Sequence, residues 1–271
     1  MDYETFKPSP ALAAFIKCFW SLKAPAVPNP EKQRIVPDGC MELIFHCGDL
    51  YQQYMPGGHR ILQPVSFVFG QITDPLEISP TGKSDILAAR FHPDGFEPFT
   101  SVPVSEMENK AVALKDLFGE EGHQLEVQVL AAMDHLDRIQ LIEQFFIRKL
   151  RSPETLERLI RSGIELMHKF NGQVSVNSLA GLLNINRRQL ERKFSTTIGI
   201  SPKQLSKIIR LQSAIKMLEQ KQFTNLTSLA YANGYFDQAH FIKDFKELTG
   251  MSPKKFYTDS LKMSSLFIRS E

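Results

Sequence analysis

The stretch "GYFDQAHFIKDFKELTGMSP", residues 234–253, decides the fold of the second half of this chain. Its large apolar residues Phe241, Phe245 and Leu248 recur at intervals of three and four, which predicts a helix with one core-facing stripe. The other face combines an amide, two apolar side chains and a cation: Gln238, Ala239, Ile242 and Lys243. Such a short mixed face is unusual for solubility alone, so it indicates a contact surface.

The same pattern occurs once more upstream, in "SLAGLLNINRRQLERKFSTTIGISP" (178–202). Its Ser-Leu-Ala start lies 50 residues before that of "SLAYANGYFDQAHFIKDFKELTGMSP" (228–253), whereas the Phe, Gly and Ser-Pro at its end lie 51 residues earlier. The difference predicts one residue added in the second turn, beside Gly234. Each copy predicts a short helix, a tight turn and a second helix. The predicted cores are Leu179, Leu182, Leu190 and Phe194 in the first copy, and Leu229, Phe241, Phe245 and Leu248 in the second.

Two such copies indicate two helix-turn-helix units, in which the second helix of each unit enters the major groove of DNA. The charge distribution agrees with this interpretation. Residues 1–150 hold 13 Lys and Arg against 20 Asp and Glu, a net charge of −7, and residues 151–271 hold 19 against 10, a net charge of +9. A basic half joined to an acidic half is typical of a chain in which one part meets a polyanion.

The 271 residues are enough for two domains, and the sequence predicts an α+β chain. Residues 1–150 are predicted to form a small antiparallel β-barrel or cupin-like domain, because short apolar runs such as "SFVFGQI" and "DILAARF" alternate with Gly, Pro and Asp clusters. Helical spacing begins after Ser105 and predicts helices that close this domain. Residues 153–258 are predicted to be all helical, with a connecting helix between the two units, and residues 259–271 form a tail.

The starts of the C-terminal helices are marked by N-cap residues before apolar-periodic runs. Pro153 after Ser152 predicts the start of a new domain near residues 150–152. The other predicted caps are Ser175, Asn186, Ser201, Asn225, Asp237 and Ser252.

The residues 151–271 resemble the DNA-binding domain of AraC-type transcription regulators, because "GYFDQAHFIKDFKELTGMSPKKF" is similar to that family's signature nearly end to end. The first half, with "FWSL", "IVPDGCMELIF" and "RFHPDGFEPF", is similar to the small β-rich, sensor-like domain of one subgroup. The resemblance implies a one-component transcription regulator, more often an activator than a repressor. Double-stranded DNA is the implied partner, together with RNA polymerase if the protein activates.

The resemblance also implies base-reading positions in both units. Arg pairs with guanine, Glu accepts from cytosine, Gln suits adenine, and Ala or Ile touches a thymine methyl group. Lys243 stands where family members often have Arg, and Lys cannot present a bidentate fork, so we expect the second unit to act more as a backbone clamp than as a reader. The implied base-reading residues are Arg188, Glu191, Arg192, Gln238, Ala239, Ile242 and Lys243.

Contacts to the DNA backbone set the register and the salt dependence of binding without reading sequence. Cations near the reading helices and polar residues at helix starts are the candidates for these contacts. They are Ser175, Asn186, Arg187, Lys203, Lys207, Arg210, Asn225, His240 and Lys246.

The first domain admits three interpretations. It binds a small-molecule effector of unknown identity, it serves only to form a homodimer through the amphipathic helices at 124–150, or it is a metal-dependent cupin-type enzyme. The predicted effector pocket consists of Trp20, Asp38, Glu42, Phe69 and Arg90.

The enzyme interpretation is the weakest, because no complete catalytic site is present and function has to be argued from a site. His46, His59, His92 and Cys40 form no closely spaced metal-binding pair, so we expect no metal and no cofactor. A zinc-cysteine DNA repair domain needs four thiolates, whereas the chain has three cysteines, Cys18, Cys40 and Cys47. No signal peptide or membrane span is apparent, which predicts a cytoplasmic protein.

Overall fold

The computed structural model describes residues 1–150 and 158–259. Within these ranges the chain forms ten strands followed by nine α-helices, so the predicted α+β fold is confirmed. The strands are β1 Asp2–Phe6, β2 Ile16–Ala24, β3 Gln33–Ile35, β4 Glu42–His46, β5 Tyr51–Tyr54, β6 Arg60–Leu62, β7 Ser66–Phe69, β8 Leu76–Pro80, β9 Ser84–Phe91 and β10 Ala111–Ala113. The helices are α1 Leu114–Ala131, α2 His135–Lys149, α3 Arg158–Lys169, α4 Val176–Leu182, α5 Arg187–Thr197, α6 Pro202–Glu219, α7 Leu226–Ala232, α8 Gln238–Thr249 and α9 Pro253–Asp259.

The first domain contains two antiparallel sheets. One has six strands in the order β1-β2-β9-β4-β7-β10, and the other has four in the order β3-β8-β5-β6. Among the described residues, no strand of one sheet forms a backbone ladder with a strand of the other, so the antiparallel domain is not a single closed barrel. The break follows from the segment "IVPDGCMEL": Pro37, Asp38 and Gly39 form a loop that separates β3 in one sheet from β4 in the other.

The six-stranded sheet is buried on both faces, because its strands alternate between two apolar layers. In β4, Leu43 and Phe45 pack toward the core that includes α1 and α2, whereas Ile44 packs toward the four-stranded sheet. In β9, Leu87 and Ala89 take the first face, and Ile86 and Ala88 take the second. The helices therefore cover one face, and the small sheet covers the other.

Helices α1 and α2 close the first domain, as predicted. Gly119 interrupts α1 with a left-handed φ of 60°, and Asp134 caps α2 by accepting a hydrogen bond from the backbone N–H of Asp137. The aromatic cluster beneath the sheet includes Phe91, Phe99 and Phe146, whose rings meet edge to face or tilted.

The second domain is all helical and has one hydrophobic core that includes residues of both helix-turn-helix units. Asn186, Ser201 and Asn225 cap α5, α6 and α7 with reciprocal capping boxes. Ser175 and Asp237 cap α4 and α8 by accepting from a backbone N–H in the first turn. The predicted cap at Ser152 and most of the predicted tail, 260–271, lie outside the described residues, and the domain boundary at 150–152 stays a prediction.

The predicted core of the second unit is confirmed, since Leu229, Phe241, Phe245 and Leu248 are all buried. In the first unit, the prediction that Leu182 is a core residue is wrong, because 56% of this residue is exposed. The buried residues here are Leu179 and Ala180 of α4, together with the partly buried Leu183 that follows the helix.

The two domains share an interface built around α6 and α3. Arg161 of α3 donates two hydrogen bonds of 3.0 Å to the buried carboxylate of Asp94, and Gln204 of α6 donates to Glu108 at 3.2 Å. Gly199, with φ +92°, lies against the backbone carbonyl of Val104, which a Cβ atom would approach to 2.8 Å. The first domain therefore contacts the C-terminal side of α5 and one side of α6.

Candidate DNA-binding surface and interdomain cavity

Helix α5 carries the first set of predicted base-reading residues on its open side. Arg188 and Arg192 are exposed, and Glu191 is half-buried and accepts a hydrogen bond from Arg187 Nε at 2.8 Å. Leu190 and Phe194 on the opposite side are buried in the domain core. This helix therefore presents two guanidinium groups to solvent, and the Arg187–Glu191 pair competes with any contact that either residue makes to DNA.

Helix α8 carries the second set of predicted base-reading residues, which is less charged than the first set. Ala239 and Lys243 are exposed, whereas Gln238 and Ile242 are half-buried. The Oε1 atom of Gln238 accepts a hydrogen bond of 2.7 Å from Thr227 Oγ1 of α7, which positions the amide before any ligand arrives.

Six of the nine predicted backbone contacts fall into three groups. Lys246 and Lys203 are exposed cations, on α8 and on the first turn of α6. Ser175, Asn186 and Asn225 are exposed caps whose side chains are used within their own helices. His240 packs edge to face on Tyr235, and its Nε2 lies 3.7 Å from Asp244 Oδ2, so it is held mainly by its own unit.

Lys207 and Arg210 of α6 face α8 and not the open surface. Lys207 Nζ lies 3.2 Å from Asp244 Oδ1 and 2.9 Å from Glu247 Oε1. Arg210 lies 3.9 Å from Asp244 and over the ring of Tyr235 at 5.0 Å. These contacts give both cations an internal role that competes with phosphate binding, and their part in DNA contact stays a prediction.

A cavity of about 300 Å³ lies between the two sheets and extends to the interface with the second domain. All five residues of the predicted effector pocket line it: Trp20, Asp38, Glu42, Phe69 and Arg90. The β register explains why they meet, since Glu42 pairs with Arg90 on β9 and with Phe69 on β7. The volume is at the lower end of the range for small-molecule sites.

Arg90 is the buried charge of this cavity, with 4% of the residue exposed. Its Nε donates to Glu42 Oε1 at 2.9 Å, and its Nη2 lies 3.3 Å from Asp38 Oδ2. Burial alone lowers the pKa of Arg90, but the carboxylates of Glu42 and Asp38 outweigh it and raise that pKa above the usual value for arginine. Trp20 Nε1 also donates to Glu42 Oε1, at 3.0 Å.

His46 gives the cavity a neutral polar group. Burial lowers the pKa of His46 to about 4, against a smaller opposing effect of its hydrogen bond to Gln63. Its Nε2 lies 3.2 Å from Gln63 Oε1, its ring stacks on Tyr51 at 5.2 Å, and its Nδ1 has no partner among the described residues. The imidazole is therefore uncharged at neutral pH.

The second domain supplies part of the cavity wall, which sequence reasoning missed. Ile209, Gln212, Ser213 and Lys216 of α6 line the cavity, and Gln212 Nε2 donates to the backbone carbonyl of Pro37 at 2.6 Å. The polar pair Gln212 and Ser213, which stands between the apolar Leu211 and Ala214, was the available signal.

No group of three or more His, Cys, Asp or Glu residues that could hold a metal ion occurs in the described part of the chain. None of the helices within 1–150 and 158–259 is long and apolar enough to cross a membrane.

Two capped helix-turn-helix units in one core define a duplicated helix-turn-helix domain. Residues 179–258 match a family described as a helix-turn-helix domain, and residues 4–113 match a domain of unknown function (DUF6597). The C-terminal region is an AraC-type helix-turn-helix domain, which confirms the resemblance seen in the sequence.

The curated relatives are transcription regulators. An uncharacterized HTH-type transcriptional regulator of Haemophilus influenzae is 30% identical over 130 residues, which are 48% of this chain and 42% of that protein. The HTH-type transcriptional activator RhaS of Pectobacterium carotovorum is 26% identical over 121 residues, 43% of this chain and 41% of that protein. The alignments span less than half the length of either relative.

Among solved structures, ToxT from Vibrio cholerae aligns with 92% of this chain and 98% of its own, with a TM-score of 0.48 and 12% identity. The C-terminal domain of AraT from Geobacillus stearothermophilus aligns with 38% of this chain and 87% of its own, with a TM-score of 0.36 and 26% identity.

The first prediction concerns the buried His46. Because its folded-state pKa of about 4 lies below the usual 6.5, the unfolded chain binds the proton first as the pH falls. The stabilisation is complete above pH 6.5 and is lost between pH 6.5 and 4, by about 2–3 kcal/mol in the free energy of unfolding. His46→Gln should flatten this pH dependence, measured by urea unfolding followed through Trp20, the single tryptophan.

The control is His59→Gln, an exposed residue between β5 and β6, which should leave the pH dependence unchanged. Equal slopes for His46→Gln and the unchanged protein between pH 6.5 and 4 would contradict the assignment.

The second prediction separates the cations of α6. Lys203→Ala should reduce the slope of log K against log salt for DNA binding by about 0.9, the value of one phosphate contact. Lys207→Ala should leave that slope unchanged and lower the free energy of unfolding by about 1–2 kcal/mol, because buried Asp244 loses a partner. Salt titrations and urea unfolding of both variants test this, and a reduced slope for Lys207→Ala would assign that residue to DNA.

Proposed function

We propose that this protein is a sequence-specific, DNA-binding transcription regulator that works in the cytoplasm. The observation that carries the proposal is the pair of capped helix-turn-helix units in one core, whose second helices present Arg188, Arg192, Ala239 and Lys243 to solvent. The basic second half suits a polyanionic partner. With two units in one chain, a monomer can cover two adjacent major-groove segments, about one helical turn apart.

The first unit is proposed to read more of the sequence than the second. Its exposed arginines can each pair bidentately with guanine, whereas Lys243 offers a point charge and Ala239 a methyl group. The name of RhaS as an activator supports activation, in which case RNA polymerase is the second macromolecular partner.

The interdomain cavity is proposed as the effector site. Its apolar wall includes Ile44 and Phe69, and its polar end is the Arg90–Glu42–Asp38 cluster, which suits a small organic molecule with one polar end. A ligand there touches both domains at once.

The coupling between the cavity and the DNA-binding domain is proposed to run through the loop 36–40. Asp38 of this loop pairs with Arg90 in the cavity, while the backbone carbonyl of Pro37 accepts from Gln212 of α6. Gly39 lies so close to Leu205 of α6 that a Cβ atom would approach its side chain to 3.0 Å. A ligand that changes the Arg90–Asp38 pair therefore changes how the first domain holds α6, and with it the presentation of both reading helices.

The second candidate for the first domain is dimerisation without an effector. A run of exposed apolar side chains at the end of α1 and the start of α2 favours it: Val127, Leu130, Met133 and Leu136. Soluble monomers rarely expose large apolar patches, so a second copy of the chain is the proposed cover for these four side chains.

The DNA-binding proposal is tested by selecting bound duplexes from a random pool with the full chain. We expect a motif with two elements about one helical turn apart, and Arg192→Ala should weaken binding about 10- to 100-fold and relax one base pair of the first element. Lys169→Ala, a cation outside both units, is the matched control. Selection without any motif, at a steep salt dependence, would reduce the function to nonspecific binding.

The effector proposal is tested by thermal-shift screening of small organic acids, amides and alcohols against the full chain. A ligand at a hundredfold excess over its Kd should raise the Tm by about 5 °C, and Ser213→Leu, which fills the cavity from α6, should abolish the shift. Gln220→Leu at the exposed end of α6 is the control. A chain that sediments as a dimer and gains no stability from any compound would favour the second candidate.

A further inference from the structure

The turns of the two units are equivalent up to a defined residue. In the first turn, the N–H of Ile185 donates to the carbonyl of Ala180 at 3.1 Å, and in the second the N–H of Tyr235 donates to Ala230 at 3.1 Å. The residue before each donor has a left-handed φ, 54° at Asn184 and 71° at Gly234. In the first unit the N-cap Asn186 follows directly, whereas in the second Phe236 intervenes before the N-cap Asp237. The inserted residue is therefore Phe236, two positions beyond the predicted place.

Phe236 is 86% exposed, although the neighbouring Tyr235 is buried in the domain core. A single exposed apolar side chain is ordinary on a protein surface. What distinguishes Phe236 is its place: it is the one residue by which the second turn exceeds the first, and it lies immediately before the helix with the predicted base-reading residues. The turn closes without it in the first unit, so the aromatic ring is not needed to build this motif.

The side chains around Phe236 suit a contact with thymine in the major groove. The exposed Ala239 follows three residues later, and the Oε1 atom of Gln238 already accepts from Thr227, which leaves the Nε2 donor for a base acceptor. In the major groove, the C5-methyl group of thymine is the apolar feature, and the adjacent O4 and the N7 of adenine are acceptors. Exposed Lys243 and Lys246 lie two to three turns further along the same helix and supply positive charge there.

We propose that Phe236 is a specificity-determining residue of the second unit and packs on a thymine methyl group at the edge of the major groove. The proposal rests on the proposed DNA-binding function and refines it: the second unit, expected from its sequence to be a backbone clamp, reads a thymine through apolar contact. The first unit, which lacks the inserted residue, reads its element through charged side chains.

The experiment compares duplexes that differ by single methyl groups. Using the selected motif and the full chain, each thymine of the second element is replaced in turn by deoxyuridine, which lacks only the methyl group. One replacement should weaken binding by the unchanged protein about fourfold, the value of one methyl group removed from water. Phe236→Ala should weaken binding to the thymine duplex at least as much, and should no longer distinguish thymine from uracil at that position.

Leu182→Ala is the matched control, because Leu182 is an exposed apolar residue of the first unit and the variant should keep both affinity and thymine discrimination. Both variants alter exposed side chains, and circular dichroism melting checks that they stay folded.

If Phe236→Ala keeps the affinity and the discrimination of the unchanged protein, the proposal is wrong. If it keeps both but loses activation in a reconstituted transcription assay, Phe236 contacts a protein instead, and the proposal is equally overturned. Failure of the unchanged protein to select any motif would overturn the proposed function itself, and this outcome is distinct because it precedes any comparison of thymine with uracil.

Discussion

The neutralisation of one buried guanidinium determines much of the architecture of the first domain. Moving an unpaired charge of this size out of water costs several kcal/mol even after the protein relaxes, so Arg90 requires both of its carboxylate partners. Glu42 is its neighbour across the strands β4 and β9, but Asp38 lies in the loop that leaves the other sheet. The charge on β9 therefore holds that loop in place. The same loop lies against α6, so the arginine also influences where the second domain sits.

In the second domain, the two helix-turn-helix units are held together by a shared core and by ion pairs. Residues of both units, including Phe194 and Phe245, belong to one cluster, and α6 passes between the units. The internal ion pairs of Lys207 and Arg210 with Asp244 link α6 to α8. Because these cations contact α8, the exposed cations of the two second helices include Arg188 and Arg192 on α5 and Lys243 and Lys246 on α8.

Much of this arrangement could be predicted from the sequence, because its determinants are local. The caps at Asn186 and Asp237 and the apolar stripe of Phe241 and Phe245 depend on residues within one or two turns of each other. The two-sheet layout and the part of α6 in the cavity could not be predicted, because Gln212 meets Pro37 across 175 positions of chain. The prediction for Leu182 was wrong for a simpler reason. Helix α4 is only seven residues long, and so short a pattern does not define which side of the helix is buried.

The residues of the cavity could be predicted from the sequence only in part. The sequence predicts Trp20, Glu42 and Arg90 as pocket residues. The structure brings them together because Glu42 pairs with Arg90, and Trp20 pairs with Ala88, two residues before Arg90 on the same face of the sheet. The alternation of a strand predicts which residues share a face, but the pairing of strands that are 48 residues apart, as for Glu42 and Arg90, depends on the whole fold.

The fastening of α6 to α8 has a mechanical consequence. A shared core and buried ion pairs resist any change in the distance between α5 and α8, so the second domain is expected to move as one body. Its contacts to the first domain, at Arg161, at Gln204 and at the loop 36–40, are the places where such a movement is set. A change at one of these contacts turns the whole domain and leaves the distance between α5 and α8 constant. The spacing of the two DNA elements would then be a fixed property of the chain, and only the angle of approach to the duplex would be adjustable.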